Sequence, residues 1–442
     1  MTTALHRVWH LVRHGRFVRR VGVLAGATAA AQGISIAVSP LLTRIYSPGD
    51  FGLLAVFASL LGMGSAFASL RYESAIPVPG DDDEARTVVL LAVVTAVATG
   101  GLAMVIIVAF GASIADAVNT PSVAPFLWLL PLGISVVGSY HALSRWAVRT
   151  QDFTLLARTK VIQSLGAVAT QVGVGLSPVG GPLGLIVGSI VGQSAGMTSL
   201  ASSMRTSDAP RRGLQLTWGD LARAASRYRR FPLLSAPSAA LNAIVLYAPA
   251  LIIAAYHGPV IAGYFALTQR VLGVPMATLG KAVSDVFLGD AAEAGRAGDL
   301  VRMRRLFVRA FWALLVVAAT LIGGLAIVAP ALFSFAFGEA WREAGAMIRL
   351  LAPMHVLGFA AAPLGGVLSL LERQDLFLFR EVVRLILVVG GLFAVSATGA
   401  TYEISILVLG LAGALGYAIY AIVSWHALAA RLRQTRAAGR DR

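Results

Sequence analysis

Residues 87–110 read TVVLLAVVTAVATGGLAMVIIVAF, twenty-four positions without a charge. At 1.5 Å per residue a helix of that length covers about 36 Å, enough to cross a hydrocarbon core of ~30 Å. Comparable segments recur with short gaps near 21–42, 51–70, 123–140, 157–176, 183–203, 232–256, 261–288, 306–329, 344–371, 377–397 and 403–426. The 442-residue chain is 57% hydrophobic and only 13% charged, the composition of an integral membrane bundle. The expected fold is an all-α polytopic membrane protein, with about twelve transmembrane helices in two six-helix lobes around a central cavity.

Charge orients the bundle. Short basic loops resist translocation, so with a cytoplasmic N-terminus the 36 Lys and Arg fall on the cytoplasmic side except for four. Arg44, Arg342 and Arg349 lie near the outer face, and Arg270 lies inside a span. Twelve spans return the tail of Arg431, Arg433, Arg436, Arg440 and Arg442 to the cytoplasm, so both termini are expected there. The net charge of +15 comes from loops and termini beside apolar spans, where anionic lipid headgroups attract it; membrane lipids, not nucleic acid, are the expected partners. Ala29-Ala30-Ala31 resembles a signal-cleavage site, but the apolar run continues past Gln32 to Leu42, as an uncleaved first helix requires.

These features predict a basic N-terminus (1–20), a first lobe (21–203), a basic linker (204–230), a second lobe (231–427) and a basic tail (428–442). In the linker, Thr217 and Asp220 offer a capping box, and Trp218, Leu221, Ala225 and Tyr228 fall opposite Arg223, Arg227 and Arg230, as in a short helix lying on the inner leaflet. The halves resemble each other. Pro48-x-x-x-Gly52 before the second span is matched by Pro259-x-x-x-Gly263 before the eighth, Glu84-Ala85 by Glu293-Ala294, and Arg149-Thr-Gln151-Asp152 by Arg373-Gln374-Asp375. Repeats of six helices share one orientation, an arrangement of transporters that alternate access.

Several chemistries are excluded. Without cysteine there are no disulfides, thiolate metal sites or thiol nucleophiles. No GxxxxGK[ST] loop, HExxH or close His–carboxylate grouping is present, so neither cofactor nor metal is expected. His141 and His355 lie in or beside spans, where a lone histidine commonly bonds a neighbouring helix. Outer loops are too short for a glycan polymerase or ligase. An exporter of organic cations wants a carboxylate deep in the first or seventh span, and neither has one. Asp81, Asp82, Asp83 and Glu84 read as a solvated cap on the third span, and Lys281 with Asp285 as a local ion pair.

The basic exceptions are the candidate site. Arg270 is about nine residues into the eighth span, on the order of 14 Å down, where a guanidinium needs water or an anion. Gln269 stands beside it, and Pro275 is expected to kink the helix as a hinge. Arg44 closes the outer end of the first span; Arg71, with Glu73 behind it, closes the inner end of the second. Either could snorkel to the interface. Arg380 and Arg384, with Glu381 pairing to Arg384, read as interfacial anchors. Arginines at outer end, middle and inner end suit a polyanion, because the guanidinium fork binds phosphate bidentately.

The stretches Leu42-Thr43-Arg44-Ile45-Tyr46-Ser47-Pro48-Gly49-Asp50-Phe51-Gly52 and Leu70-Arg71-Tyr72-Glu73-Ser74-Ala75-Ile76-Pro77 resemble the first hairpin of bacterial polysaccharide-biosynthesis (O-antigen, Wzx-type) flippases. Phe231-Pro232-Leu233, Pro237-Ser238-Ala239-Ala240-Leu241-Asn242, and Gly263 to Pro275 resemble that family's seventh and eighth helices. The resemblance implies the multidrug/oligosaccharidyl-lipid/polysaccharide exporter superfamily, a bacterial inner-membrane location, and movement of an undecaprenyl-diphosphate-linked glycan, with a polysaccharide polymerase and assembly proteins as partners. Related lipid II flippases use cavity arginines in helices one, two and eight, matching Arg44, Arg71 and Arg270; Gln32 and Asn242 join them as polar site residues. Where those flippases carry further basic residues early in helix one, this chain has Gln32 and Ser35, which favours a cell-surface glycan over lipid II. The alternatives are an ion-coupled small-molecule or drug exporter of the same superfamily, and a membrane glycan polymerase or ligase.

Overall fold

The computed structural model describes residues 16–178, 180–206, 217–371 and 373–438. The expected basic arm through residue 15, Arg211 and Arg212 of the linker, and Arg440 and Arg442 of the tail lie outside the described residues. The protein is all-α, and the apolar segments form the spans of two six-helix lobes. Among the described residues, eight helical stretches are long and apolar enough to cross a membrane; one, Phe231–Arg296, is 66 residues long and contains two spans. Two compact units form: described residues up to Tyr46 with Phe57–Asp116 and Pro121–Ala240, and Ser47–Val56 with Ala117–Thr120 and residues from Leu241 onward.

In the first unit, α1 (Arg16–Ala37) and α2 (Ser39–Ile45) make one broken span, interrupted where Pro40 begins the second piece. The span near 51–70 is a shorter helix than expected. α3 (Pro48–Ser65) ends at Gly62-Met63-Gly64-Ser65, and Leu70 and Arg71 turn through left-handed φ of 47° and 65° into a short 3₁₀ turn, Tyr72–Ala75. α4 (Asp82–Ala117), α5 (Leu129–Arg149) and α6 (Phe153–Gly175) follow. The sixth span breaks between α7 (Pro182–Ser194) and α8 (Met197–Thr206), at Gly196 with φ 85°. The Tyr46 hydroxyl donates to the Gln171 carbonyl at 2.5 Å, and a Cβ on Gly184 would collide with it.

Two expectations for the basic end of this lobe need correction. The linker helix α9 (Trp218–Arg227) carries the predicted Thr217/Asp220 capping box, but it packs on protein. Leu221, Ala224 and Tyr228 join an apolar cluster with Tyr72, Ile76, Val88 and Trp146, whereas Trp218 points away, 79% exposed. Nor are the carboxylates of residues 81–84 merely a solvated cap. Glu84 accepts from the Tyr228 hydroxyl at 3.0 Å and pairs with Arg227 at 2.7 Å; Asp82 pairs with Arg149 at 3.0 Å. Arg149 also donates to the carbonyls of Pro79 (2.8 Å) and Asp81 (3.1 Å), holding the loop before α4. An apolar face and opposite charges both find partners within the lobe before they find lipid.

In the second unit, α10 (Ala236–Thr268) kinks at Gly258, φ 83°, separating the seventh and eighth spans. The two Pro-x-x-x-Gly motifs meet there. A Cβ on Gly52 would overlap the Pro259 carbonyl oxygen, and a Cβ on Gly263 the Pro48 carbonyl oxygen, so each first turn crosses the other's glycine. Phe51 stacks edge-on to Trp341, centroids 4.9 Å apart. The helix break expected at Pro275 is a π segment, Gln269–Gly273, directly before α11 (Val274–Arg296), as suits a proline that offers no N–H to the preceding turn. α12 (Leu300–Phe337), α13 (Arg342–Ala361) and the short α14 (Val367–Leu370) precede the eleventh span, built from α15 (Gln374–Leu385), a π segment (Ile386–Gly390) and α16 (Gly391–Ala397); α17 (Tyr402–Ala438) ends the bundle. Arg342 pairs with Glu339 at 2.6 Å. Arg380 is not an interfacial anchor. It is 8% exposed, lies 3.9 Å over the Tyr420 ring and pairs with Glu381 at 2.6 Å, so the protein solvates it.

Candidate functional site

A cavity of about 520 Å³ opens inside the second unit. Its walls are largely apolar, from Val245 and Pro249 of α10, Phe265 of the eighth span, Met276 of α11, Met354 and Phe359 of α13, and Leu409 of α17. Small residues make the room: a Cβ on Gly358 would sit 2.9 Å from the Tyr417 ring, and one on Gly413 would press into Met354. Polar groups converge from separate elements, namely Gln269, Lys281, Ser284, His355, Arg384 and Tyr417.

Gln269 sits on the π segment, and its Oε1 is 3.0 Å from His355 Nε2, so the histidine bonds a neighbouring span as expected. The wider π turn exposes Gln269 to the cavity while Arg270, next to it, stays half-buried and off the cavity wall. Lys281 pairs with Asp285 at 3.2 Å, as expected from their i,i+4 spacing, yet also lines the cavity. Arg384 is 3.6 Å from Glu381, beyond hydrogen-bond length, and 5.7 Å from the Tyr417 centroid, so its fork keeps donors for a ligand. No carboxylate is among the lining residues. A chamber of apolar walls, two cations and neutral donors suits a bulky anionic or sugar-bearing group and offers no counter-charge to a cation.

Of the residues singled out from sequence, Gln269 lines this cavity; Arg270, Asn242 and Pro275 belong to the same unit without lining it. Asn242 is exposed on α10. The first unit holds Gln32, half-buried on α1, Arg44, exposed at the end of α2, and Arg71, which sits on the turn after α3 and pairs with the buried Glu73 at 3.0 Å. Sequence reasoning missed His355, Lys281 and Arg384 as cavity residues. Each carried a signal: a histidine within a span, and two cations whose local carboxylates accounted for them too readily.

The family model described as "Polysaccharide biosynthesis protein" matches residues 41–346. No curated protein sequence matches the chain. Among solved structures, an inward-facing multidrug resistance MATE family transporter of the MOP superfamily is similar with a TM-score of 0.63 at 14% identity, over 94% of this chain and 98% of that one. A MOP superfamily transporter from Pyrococcus furiosus, described by the reverse polarity of its binding pocket, matches with a TM-score of 0.58 at 13% identity, over 93% and 95%. The eukaryotic MATE transporter AtDTX14 matches with a TM-score of 0.55 at 16% identity, over 95% and 99%. At these identities the likeness is one of fold.

Proposed function

This chain belongs to the polysaccharide biosynthesis protein family, and on that premise we propose that it is a flippase for an undecaprenyl-diphosphate-linked oligosaccharide in the bacterial cytoplasmic membrane. The observation that carries the reading is the second-unit cavity, where Lys281, Arg384, Gln269 and His355 face inward and no carboxylate does. The guanidinium forks of Arg44, Arg71 and Arg270 are each assigned to contact with the diphosphate during the cycle, and the polar groups set in the largely apolar cavity wall, among them Gln269, Ser284 and Tyr417, are assigned to the sugar. The polyprenyl tail stays in the bilayer, since drawing it through water forfeits about 0.8 kcal/mol per CH₂. Alternating access moves the headgroup, and no bond is made or broken. Both termini face the cytoplasm, and the exported unit passes to a polymerase and assembly proteins.

Replacing Arg270 by Ala is expected to abolish surface glycan while the protein remains inserted at normal abundance. Normal glycan at normal abundance overturns the role. A second reading, export of small molecules, is favoured by likeness to structures described as multidrug transporters. A drug-susceptibility panel on a deletion strain separates the two: broad sensitisation with intact glycan supports the exporter. Reconstituted flipping under imposed proton or sodium gradients tests the energy source.

A further inference from the structure

At the basic end of the second unit a cleft of about 190 Å³, separate from the large cavity, lies between the start of α12 and the end of α17. Val301 and Arg304 line it from α12, and Ala429, Leu432 and Arg433 from α17. Two guanidinium groups therefore face one cleft whose other lining residues are apolar. The Arg304 guanidinium carbon stands 4.1 Å from the centroid of the Trp425 ring, one turn before Ala429. Contact with a ring face fixes the side chain and uses none of its five N–H donors.

The nearby carboxylates are engaged elsewhere. Glu293 pairs with Arg302 at 3.3 Å, and Asp299 accepts from the Arg302 backbone N–H at 2.8 Å as the cap of α12. Among the described residues, no carboxylate lies within ion-pair distance of Arg304 or Arg433. Like charges lining one small cleft repel each other unless an anion lies between them. The cleft is small beside the ~300–1,000 Å³ of pockets that enclose a whole ligand, so it suits a phosphate group and leaves the rest of the molecule outside.

The surroundings say what that rest is. Arg304 is two residues outside the apolar segment 306–329 and Arg433 seven outside 403–426, so both stand where hydrocarbon gives way to headgroups. Trp425, in the last turn of its segment, has the amphipathic ring favoured at that boundary. Towards the membrane interior, the helix faces that carry the cleft stay apolar and exposed. Trp312 follows Val301 by about three turns on α12, while Ile422 and Leu415 precede Arg433 by about three and five turns on α17. Cations at the boundary with apolar tracks beside them match a lipid with an anionic head.

We propose that Arg304 and Arg433, with Trp425 setting Arg304, hold the phosphodiester of an anionic phospholipid at the basic end of the second lobe, its acyl chains lying along α12 and α17. The two guanidinium forks supply bidentate donors to the phosphate oxygens. This lipid is a resident of the protein's surface and not the transported molecule, so the site stands or falls independently of the flippase reading.

The test uses the full chain in detergent micelles, with lipid retention read by native mass spectrometry. The probes are phosphatidylglycerol, zwitterionic phosphatidylethanolamine, and water-soluble glycerol phosphate. The wild type should retain one phosphatidylglycerol about tenfold more tightly than phosphatidylethanolamine, and Arg304→Gln/Arg433→Gln should lose that preference. Arg305→Gln/Arg309→Gln, which removes the same charge from α12 outside the cleft, should bind like wild type. If the cleft variant does not elute monodisperse, Arg433→Gln alone, at an exposed position near the end of α17, should weaken retention by about threefold or more. Equal retention by the wild type and the cleft variant overturns the site, as does an equal loss in both double variants, the mark of a diffuse basic surface. Glycerol phosphate binding as tightly as the lipid overturns the assignment to a lipid.

Discussion

Arg349 Nε donates to the carbonyl oxygen of Ala326 at 2.8 Å, and its Nη2 reaches the Ile327 carbonyl at 3.1 Å. The cause is Pro330 inside α12, which has no N–H to close the i→i−4 bond to Ala326. An arginine near the outer face, with no evident role in the sequence, is therefore the donor that a proline made necessary. Arg349→Met should cost about 1–2 kcal/mol, the price of an unsatisfied carbonyl. In a Pro330→Ala background the carbonyl regains a helical donor, and the same substitution should cost less. A double-mutant cycle of thermal unfolding in detergent measures the coupling; additive losses would place Arg349's value elsewhere.

The crossed Pro-x-x-x-Gly motifs make a sharper steric prediction. Neither Gly52 nor Gly263 has room for a methyl group against the other motif's backbone carbonyl. Backbone cannot swing aside as a side chain does, so Gly52→Ala and Gly263→Ala should each destabilise by about 1–3 kcal/mol and lower glycan export. Gly49→Ala, whose added Cβ would meet nothing closer than the Ser47 hydroxyl at 3.6 Å, should behave like wild type. Melting temperature and surface glycan on the three variants decide it.

The twelve apolar lengths made the fold legible, because crossing hydrocarbon imposes a length and a polarity that a linear sequence displays directly. Which side of each helix meets protein is not displayed that way. Lys160 counted among the orienting cations because its segment begins near a basic loop, although it lies well inside α6. Glu84 read as solvated because its partners, Arg227 and Tyr228, are more than a hundred residues away. Arg380 read as an anchor because the sequence gives no sign of Tyr420 beneath it. The π segment at Gln269–Gly273 followed from Pro275 as a break, but its effect, putting Gln269 rather than Arg270 on the cavity wall, depends on the extra residue in that turn.

The linker helix should report on acid. Asp220 accepts from the Thr217 backbone and hydroxyl and from Arg223, and the Thr217 contacts first of all hold its carboxyl down to about 2. A depressed carboxylate contributes stability that is complete above its unfolded value, about 3.9, and is lost as pH falls towards 2. Amide protection of residues 217–228, corrected for intrinsic exchange, should therefore decline across that window in the wild type. Asp220→Asn should lower protection at neutral pH and flatten the decline; a wild-type profile from the variant would show that the cap does not hold the helix.

Arg380 and Arg384 lie one turn apart and share Glu381, but their surroundings assign them different work. Arg380 is buried over Tyr420, whose hydroxyl occupies the space a Cβ at Gly365 would need. Arg384 faces the cavity. Arg380→Met strips the close partner from Glu381, leaving that carboxylate with Arg384 at 3.6 Å, and should lower the melting temperature and abundance markedly. Adding Glu381→Gln should recover part of the loss, since removing both charges costs less than stranding one. Arg384→Gln keeps the Arg380–Glu381 pair and should leave the melting temperature close to wild type while reducing flipping per inserted molecule. Fluorescence-detected melting and liposome flipping on the same preparations separate the effects. A heat-labile Arg384→Gln with normal turnover, or a stable Arg380→Met with none, would reverse the assignment.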